Sequence, residues 1–509
     1  MPDVTFAELG RLLEKYRHDP KGLEINRRIG LIMMSVRKTQ LDAEPYIRRA
    51  LAHGVWDDDA ARLLDGLGHI HLLKGEPEKA AEVYALAHRQ YPAVIDFVFR
   101  LGDVLFRLGR YEESSTAYHA GIDRLYANAR DNAREAGAPL VHLLSPATVI
   151  CRYFGEMAAK IDLYLKVREL GLIDRAEPVL LAPAEEIVNQ SLLDCWGPNV
   201  RVVSDPASID EMRATRGASM VFCDYYTLPD GRTLHRDVAH RAVQGLWEAD
   251  GRGPLLTLSE DHARRGRAVL AGLGVPEDAW FVALHVRDAG FFDEDRRWNH
   301  NRHRNADIET YLPAIEAITD RGGWVVRLGD PTMTRLPAMN RVIDYALSDV
   351  RADWIDVYLI AAARFYLGMA SGPSSTAVAF GVPTLGTNWF PLGPWPYCRG
   401  DIFLPKLICR RGDGRLLGIA EALAPPLFAA MEPAFFDRHG LDVVDNTPED
   451  IADATREMLD ALDGRATYSA EDERRQSAFR AVADPMNVGL APRVARDFLA
   501  RHPELIGGS

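Results

Sequence analysis

The sequence predicts an α/β protein: two units of parallel sheet covered by helices, preceded by an all-helical repeat array. Three observations predict it. A 34-residue period occupies the first quarter of the chain, short β-branched apolar runs alternate with helical stretches from about residue 140, and the later strands end in small or charged residues. The bounds agree. The chain has 509 residues, long enough for several domains, and its 47% hydrophobic and 26% charged residues are those of an ordinary globular protein.

Charge and composition narrow the functional classes. A formal net charge of −13 argues against a general nucleic-acid binder, which needs a basic face, but not against small anionic ligands. The start, "MPDVTFAELGRLLEKY", carries acidic residues and no apolar core of secretory length, and no run approaches the roughly 18 apolar residues of a membrane span. A cytoplasmic protein without a membrane span is expected. Cys151, Cys195, Cys223, Cys398 and Cys409 are odd in number and lack a C-x-x-C spacing, so neither a disulfide framework nor a metal site is expected.

The first element is the repeat. "LGHIHLLKGEPEKAAEVYALAHRQYP" begins at Leu67 and "LGDVLFRLGRYEESSTAYHAGIDRLY" at Leu101, matching Gly68 to Gly102, Gly75 to Gly109, Glu78 to Glu112 and Tyr84 to Tyr118. The pattern resembles the tetratricopeptide repeat: a small residue lets two helices approach, a glycine turns the chain, and an aromatic fills the gap between helices. Glu44, 34 residues before Glu78, marks a degenerate earlier unit. Residues 1–135 are therefore expected to be helical.

The texture then changes. "PLVHLLSPATVI", "PVLLAPAE", "NVRVVSD" and "ASMVFCDYY" read as strands of a first Rossmann-like domain, over 136–275. "WFVALHVRD", "GWVVRLGD", "RFYLGMAS" and "VPTLGTN" read as those of a second, over 276–470. Residues 471–509 read as helices that cross back to the first.

In an open α/β sheet, ligands bind beyond the carboxyl ends of the strands. In the second domain those positions hold His285, Arg287 and Asp288, then Gly329 and Asp330, then "SGPSS", Ser371 to Ser375. A strand ending in "SGPSS" and followed by a helix gathers backbone N–H groups, small hydroxyls and a helix N-terminus at one point, which suits a phosphate. The plainer reading makes Ser374 or Ser375 an N-cap and Gly372 a turn residue. Residues 296–304 hold four arginines, two histidines and no acid, a local reversal of sign that fits an anionic ligand. For Arg296 and Arg297 a solvated loop paired with the acids just before it is the simpler account. Arg287, set directly after an apolar strand, is read as functional. A histidine inside such a strand is more often a core residue, which leaves His285 open.

Several stretches carry a resemblance: "FVALHVRDAGF", "RNADIETYLPAIEAITDRGGWVVRLGDPTM", "DWIDVYLIAAARFYLGMASGPSSTAVAFGVPTLGTNW" and "VVDNTPEDIADATREMLDAL". Over about residues 140–470 the chain resembles a family of bacterial glycosyltransferases. Its carboxyl-terminal half is similar to the GT-B group that includes fucosyltransferases with a strand-end His-x-Arg. The resemblance implies a GT-B-type pair of Rossmann-like domains, with a nucleotide-sugar donor held by the second and the acceptor by the first. Arg287 would sit on the diphosphate, Ser374 and Ser375 on a phosphate, and Asp330 near the ribose or base. Arg304, Asn305 and Tyr311 match a recurring stretch of the family; Arg304 is counted with the donor-binding residues, and bracing is the simpler reading of all three.

Glycosyl transfer needs stabilisation of a departing nucleoside diphosphate, which Arg287 and the serine loop can give without a metal or other cofactor. If the anomeric centre is inverted, a base must take the acceptor's proton. Glu156, in "YFGEMAAKIDLYLK", is the candidate on the acceptor side, and Asp288 and Asp293 are its rivals. The loop "TNWFPLGPWPYCRGD" offers aromatic faces to a base or sugar, or packs as a surface turn. The expected function is transfer of a sugar from a GDP- or UDP-linked donor to a protein, such as a surface or flagellar polypeptide, or to a glycan, with the repeats selecting the acceptor. The alternative is a scaffold that binds partners through the repeats and has lost catalysis.

Overall fold

The structure, a computed structural model, describes all residues except Met1, 37–38, 145–147, 198, 223, 289–301, 393–397, 425–426, 428–429, 431–432, 485, 490 and 508–509. It divides into two compact units, one of residues 1–128 with 230–233, the other of 129–229 with 234–509.

The first unit, apart from residues 230–233, is built of helices: α1 (Pro2–His18), α2 (Leu23–Ser35), α3 (Glu44–Leu51), α4 (Asp58–Leu73), α5 (Pro77–Gln90), α6 (Ile95–Arg107) and α7 (Tyr111–Glu135), the last of which runs on past residue 128. The repeat signature has a direct physical meaning here. A β-carbon on Gly68 would stand 2.4 Å from the Tyr84 ring, and one on Gly102 would stand 2.5 Å from the Tyr118 ring, so each tyrosine lies flat on a bare helix backbone. Gly75 and Gly109, which close α4 and α6, adopt φ of 73° and 72°, a region glycine enters without penalty. The core of the array runs from Ile29 and Ile47 through Leu63 and Leu67 to Tyr84, Phe97 and Val104. Glu44, at the start of α3, accepts from Arg48 on its own helix and from Lys74 after α4, which ties the degenerate repeat to the next.

The second unit contains two parallel sheets. The first has β1 (Val141–Leu143), β2 (Glu177–Leu181), β3 (Arg201–Val203) and β4 (Met220–Phe222) in the order β3-β2-β1-β4, and α8 (Phe154–Glu169) lies between β1 and β2 in the chain. Two short strands, β5 (Tyr225–Thr227) and β6 (Thr233–His235), and a helix, Arg236–Ala249, follow. The second sheet is built from β7 (Phe281–His285), β8 (Trp324–Arg327), β9 (Val342–Ile343), β10 (Phe365–Gly368), β11 (Thr384–Trp389) and β12 (Ile402–Pro405). β13 (Leu407–Arg410) and β14 (Leu441–Val444) form a separate antiparallel pair, and β15 (Arg493–Val494) returns to the large sheet. Its order is β15-β12-β11-β10-β7-β8-β9, with all seven strands parallel.

These strands are apolar throughout because both faces are covered. Val282, Leu284, Leu367 and Leu385 belong to the core on one face. Phe281, Ala283, Val326 and Tyr366 belong to the core on the other, which also takes in Ile161 and Leu165 of α8 and Leu180 of β2. One core therefore joins the two sheets. The α/β class, with a pair of doubly wound parallel sheets and an all-helical N-terminal region, is as expected. The last part of the chain, with β15 on the free edge of β12 and Phe479 on Phe403, packs on the second sheet.

Candidate functional site

Strand order reverses between β7 and β10, because β8 and β9 lie to one side of β7 and β10, β11 and β12 to the other. Such a switch point opens a crevice beyond the carboxyl ends of the two strands. His285 ends β7 in register with Gly368 of β10, and a β-carbon on Gly368 would lie 2.3 Å from the His285 carbonyl oxygen. Glycine at that place lets the two strand ends meet.

The residues beyond them are held by one another. His285 Nδ1 lies 3.2 Å from Ser371 Oγ, which lies 3.1 Å from Tyr366 Oη. Burial, then Arg287 and Arg327, push the His285 imidazole down to about 4, so it is neutral at ordinary pH. Ser374 Oγ donates to Ser371 O at 2.7 Å and accepts from Ser371 N at 3.2 Å, so its buried hydroxyl caps the helix Gly372–Ala379. The N-cap is therefore Ser371 and not Ser374 or Ser375: Ser374, at the third helical position, completes a capping box with it, and Gly372 is the first residue of the helix rather than a turn residue. Ser375 is half-buried one position further on.

Arg287 donates from Nε to Asn305 Oδ1 at 3.2 Å, and the Ala306 N–H returns to the Arg287 carbonyl at 2.9 Å. Burial and the neighbouring Arg304 lower the Arg287 guanidinium to about 10. Arg304 donates to Ala370 O at 2.6 Å, just ahead of Ser371, while its Nε is buried without a hydrogen-bond partner among the described residues. Burial lowers Arg304 too, and Glu156 pulls it the other way. Two guanidiniums thus share a half-buried crevice beside a helix N-terminus.

Glu156 stands in the first turn of α8, half-exposed, 3.3 Å from Lys160 and 3.7 Å from Arg236, whose guanidinium also holds Asp224 at 2.7 Å. It reaches the crevice because α8 abuts the helix Gly372–Ala379 at Gly155. Asp288 accepts from the Thr334 N–H at 2.8 Å and so closes the loop after β8. Within that loop Gly329 has φ of 152° with Met333 packed on it, and Asp330 accepts from the Thr332 N–H at 2.9 Å. The other Asp330 oxygen is buried without a partner among the described residues, and its charge acts on His285. Asp293, Arg296 and Arg297 lie outside the described residues. Among the described residues no cluster of three or more His, Cys, Asp or Glu is arranged to hold a metal, and no helix is long and apolar enough to cross a membrane.

Two participants carried too little local signal to be singled out. Tyr366 is an ordinary core aromatic in sequence, Gly155 one glycine among forty. Lys406, a lone cation in the apolar run "DIFLPKLIC", is the one that sequence alone flags. The bracing reading holds for Tyr311, whose buried hydroxyl meets Thr387 Oγ1 at 2.7 Å and accepts from Asn388 Nδ2 at 3.1 Å.

No protein-family model matches the chain, and no curated protein does. Solved structures similar to parts of it include a glycosyl transferase family 9 protein from Veillonella parvula DSM 2008, at 10% identity and a TM-score of 0.31 over 49% of this chain and 80% of that one. The E. coli ADP-heptose LPS heptosyltransferase II is similar at 14% identity and 0.35, over 64% of this chain and all of the other. The MamA protein is similar at 16% and 0.23, over 26% of this chain and 72% of its own. Likeness at this level leaves the functional reading to the residues.

Proposed function

We propose that the protein is a glycosyltransferase whose nucleotide-sugar donor lies at the switch point of the second sheet. The observation that carries the reading is the pair Arg287 and Arg304, two guanidiniums held together at the strand ends where burial and, for Arg287, the other's charge work against them. A diphosphate entering between them would offset that cost, and planar guanidiniums match its oxygens. Negative charge grows on the diphosphate as the sugar departs, so a grip already in place lowers the barrier most at the transition state. The N-terminus of the helix Gly372–Ala379 adds its dipole, with Ser375 beside the phosphate. His285, neutral and fixed by Ser371, brings no counter-charge and can donate or accept a single hydrogen bond from its other nitrogen. Glu156, whose charge acts on Arg304 from the first-sheet half, would take the acceptor's proton in this reading, while Asp288 holds the Thr334 N–H. The nucleotide is GDP or UDP in this reading, and the helical array selects a protein or glycan acceptor.

The test is thermal unfolding of the whole protein with GDP, UDP and ADP and their sugar conjugates, since selective binding raises the midpoint by mass action. One nucleotide is expected to raise the midpoint of the wild type by clearly more than that of Arg287→Ala. A wild type indifferent to all of them overturns the reading in favour of a scaffold without a donor site.

A further inference from the structure

Behind Arg287 lies a buried cation that the donor site as described leaves unused. Lys406 follows β12 with a side chain 2% exposed. Its ammonium donates to the main-chain oxygen of Asn305 at 2.6 Å and to Asp445 Oδ1 at 2.5 Å. Burial lowers its pKa in spite of Asp445. A charge kept out of water at that cost needs good geometry in return, and a methionine would fill the same space without it.

The return is visible in the segment it holds. Residues 304–306 are stitched to the crevice at three points: Arg304 to Ala370 O, the Asn305 carboxamide to Arg287 Nε, and the Ala306 N–H to Arg287 O. Lys406 anchors the middle residue from behind. The other side of the anchor is also fixed, because Asn446, next to Asp445, donates to Pro405 O at 2.9 Å and exchanges hydrogen bonds with Asn388. A chain of contacts therefore runs from Asp445 through Lys406 and Asn305 to the guanidinium that Arg304 repels.

We infer that Lys406 is a positioning residue: it fixes Asn305, whose side-chain oxygen holds the Arg287 guanidinium in place for the diphosphate. The inference rests on the donor reading above. It differs from a simple contribution of positive charge, which would act with or without Arg287.

The experiment is isothermal titration of whichever of GDP, UDP or ADP binds the wild type, into Lys406→Met, Asn305→Ala, Arg287→Ala and the two doubles with Arg287→Ala. Lys406→Met and Asn305→Ala are each expected to weaken binding roughly tenfold, the scale of a lost hydrogen bond to a charged group. In the Arg287→Ala background either change should cost less than about twofold more, because coupled residues fail to add. Equal losses in both backgrounds, or wild-type affinity in Lys406→Met, overturn the inference and leave the donor reading standing. Should Lys406→Met fail to fold, Asn305→Ala decides: it leaves the lysine its main-chain acceptor, and wild-type affinity there overturns the inference as well. A wild type that binds none of the three nucleotides overturns the donor reading, and this inference with it.

Discussion

Gly155 and Gly372 touch backbone to backbone: a β-carbon on Gly155 would stand 2.7 Å from the Gly372 Cα and 3.3 Å from its nitrogen, and one on Gly372 would stand 3.0 Å from the Gly155 nitrogen. The two glycines open two helices, α8 of the first-sheet half and Gly372–Ala379 of the second, so the ends that carry the helices' partial positive charge meet at the crevice. Backbone cannot yield as a flexible side chain can. Gly155→Ala should therefore lower stability by about 1–3 kcal/mol, the usual cost of overpacking, although alanine is the better helix former by about 1 kcal/mol. Urea unfolding measures it, and an unchanged or raised midpoint would mean that the two helices part freely.

The same logic in the helical array gives a sharper test, because it occurs twice. Gly68→Ala drives a methyl group into the Tyr84 ring and Gly102→Ala one into the Tyr118 ring, at nearly the same distance. Each should destabilise the array by about 1–3 kcal/mol, and a second change of the facing tyrosine to leucine should recover part of the loss, since the two sites are in contact. Circular dichroism melts of the singles and doubles decide. Additive losses would show that the ring is not what the methyl group meets.

What the sequence made legible follows from range. Gly68 and Tyr84 sit 16 residues apart, so a 34-residue repeat exposes their pairing in one chain. The ends of β7 and β10 were legible to within a few residues because the apolar runs give way to polar residues, at Arg287 and at Ser371. What stayed hidden depends on partners far off in sequence. Lys406 meets Asn305 from 101 residues away, and Ser371 meets His285 from 86. β15 reads as part of a helical tail because two residues, Arg493 and Val494, become a strand only when the free edge of β12 is there to pair with them.

A pH dependence follows from Asp401. Its carboxylate accepts from the Thr384 N–H at 2.9 Å and the Cys398 N–H at 3.2 Å, and it is 1% exposed. Burial pushes its pKa from the ordinary 3.8 up to about 7, the two N–H groups notwithstanding. An acid raised in the folded state adds stability while it is protonated. That contribution is complete below about 4 and is lost as pH rises through about 7. At 1.36 kcal/mol per pH unit the span sets an upper bound of about 4 kcal/mol. Asp401→Asn should flatten the fall in stability between pH 5 and pH 8 seen in the wild type, measured by urea unfolding at both. Parallel pH profiles in the two proteins would place the titration elsewhere.

The two serines of the "SGPSS" stretch should separate capping from ligand contact. The Ser374 hydroxyl serves Ser371 N and Ser371 O at once, so Ser374→Ala removes a cap, at about 1 kcal/mol of stability, and should change nucleoside diphosphate affinity by less than about threefold. Ser375 sits one residue further into the helix, half-buried, with its Oγ on the side of Gly155. Ser375→Ala should leave stability within about 0.5 kcal/mol and weaken nucleotide binding by about three- to tenfold, the worth of one hydrogen bond to a phosphate oxygen. Urea midpoints and titration calorimetry on the two variants separate the roles. The opposite pattern, affinity lost in Ser374→Ala with stability intact, would mean that the cap opens when the phosphate arrives and that Ser374 turns to meet it.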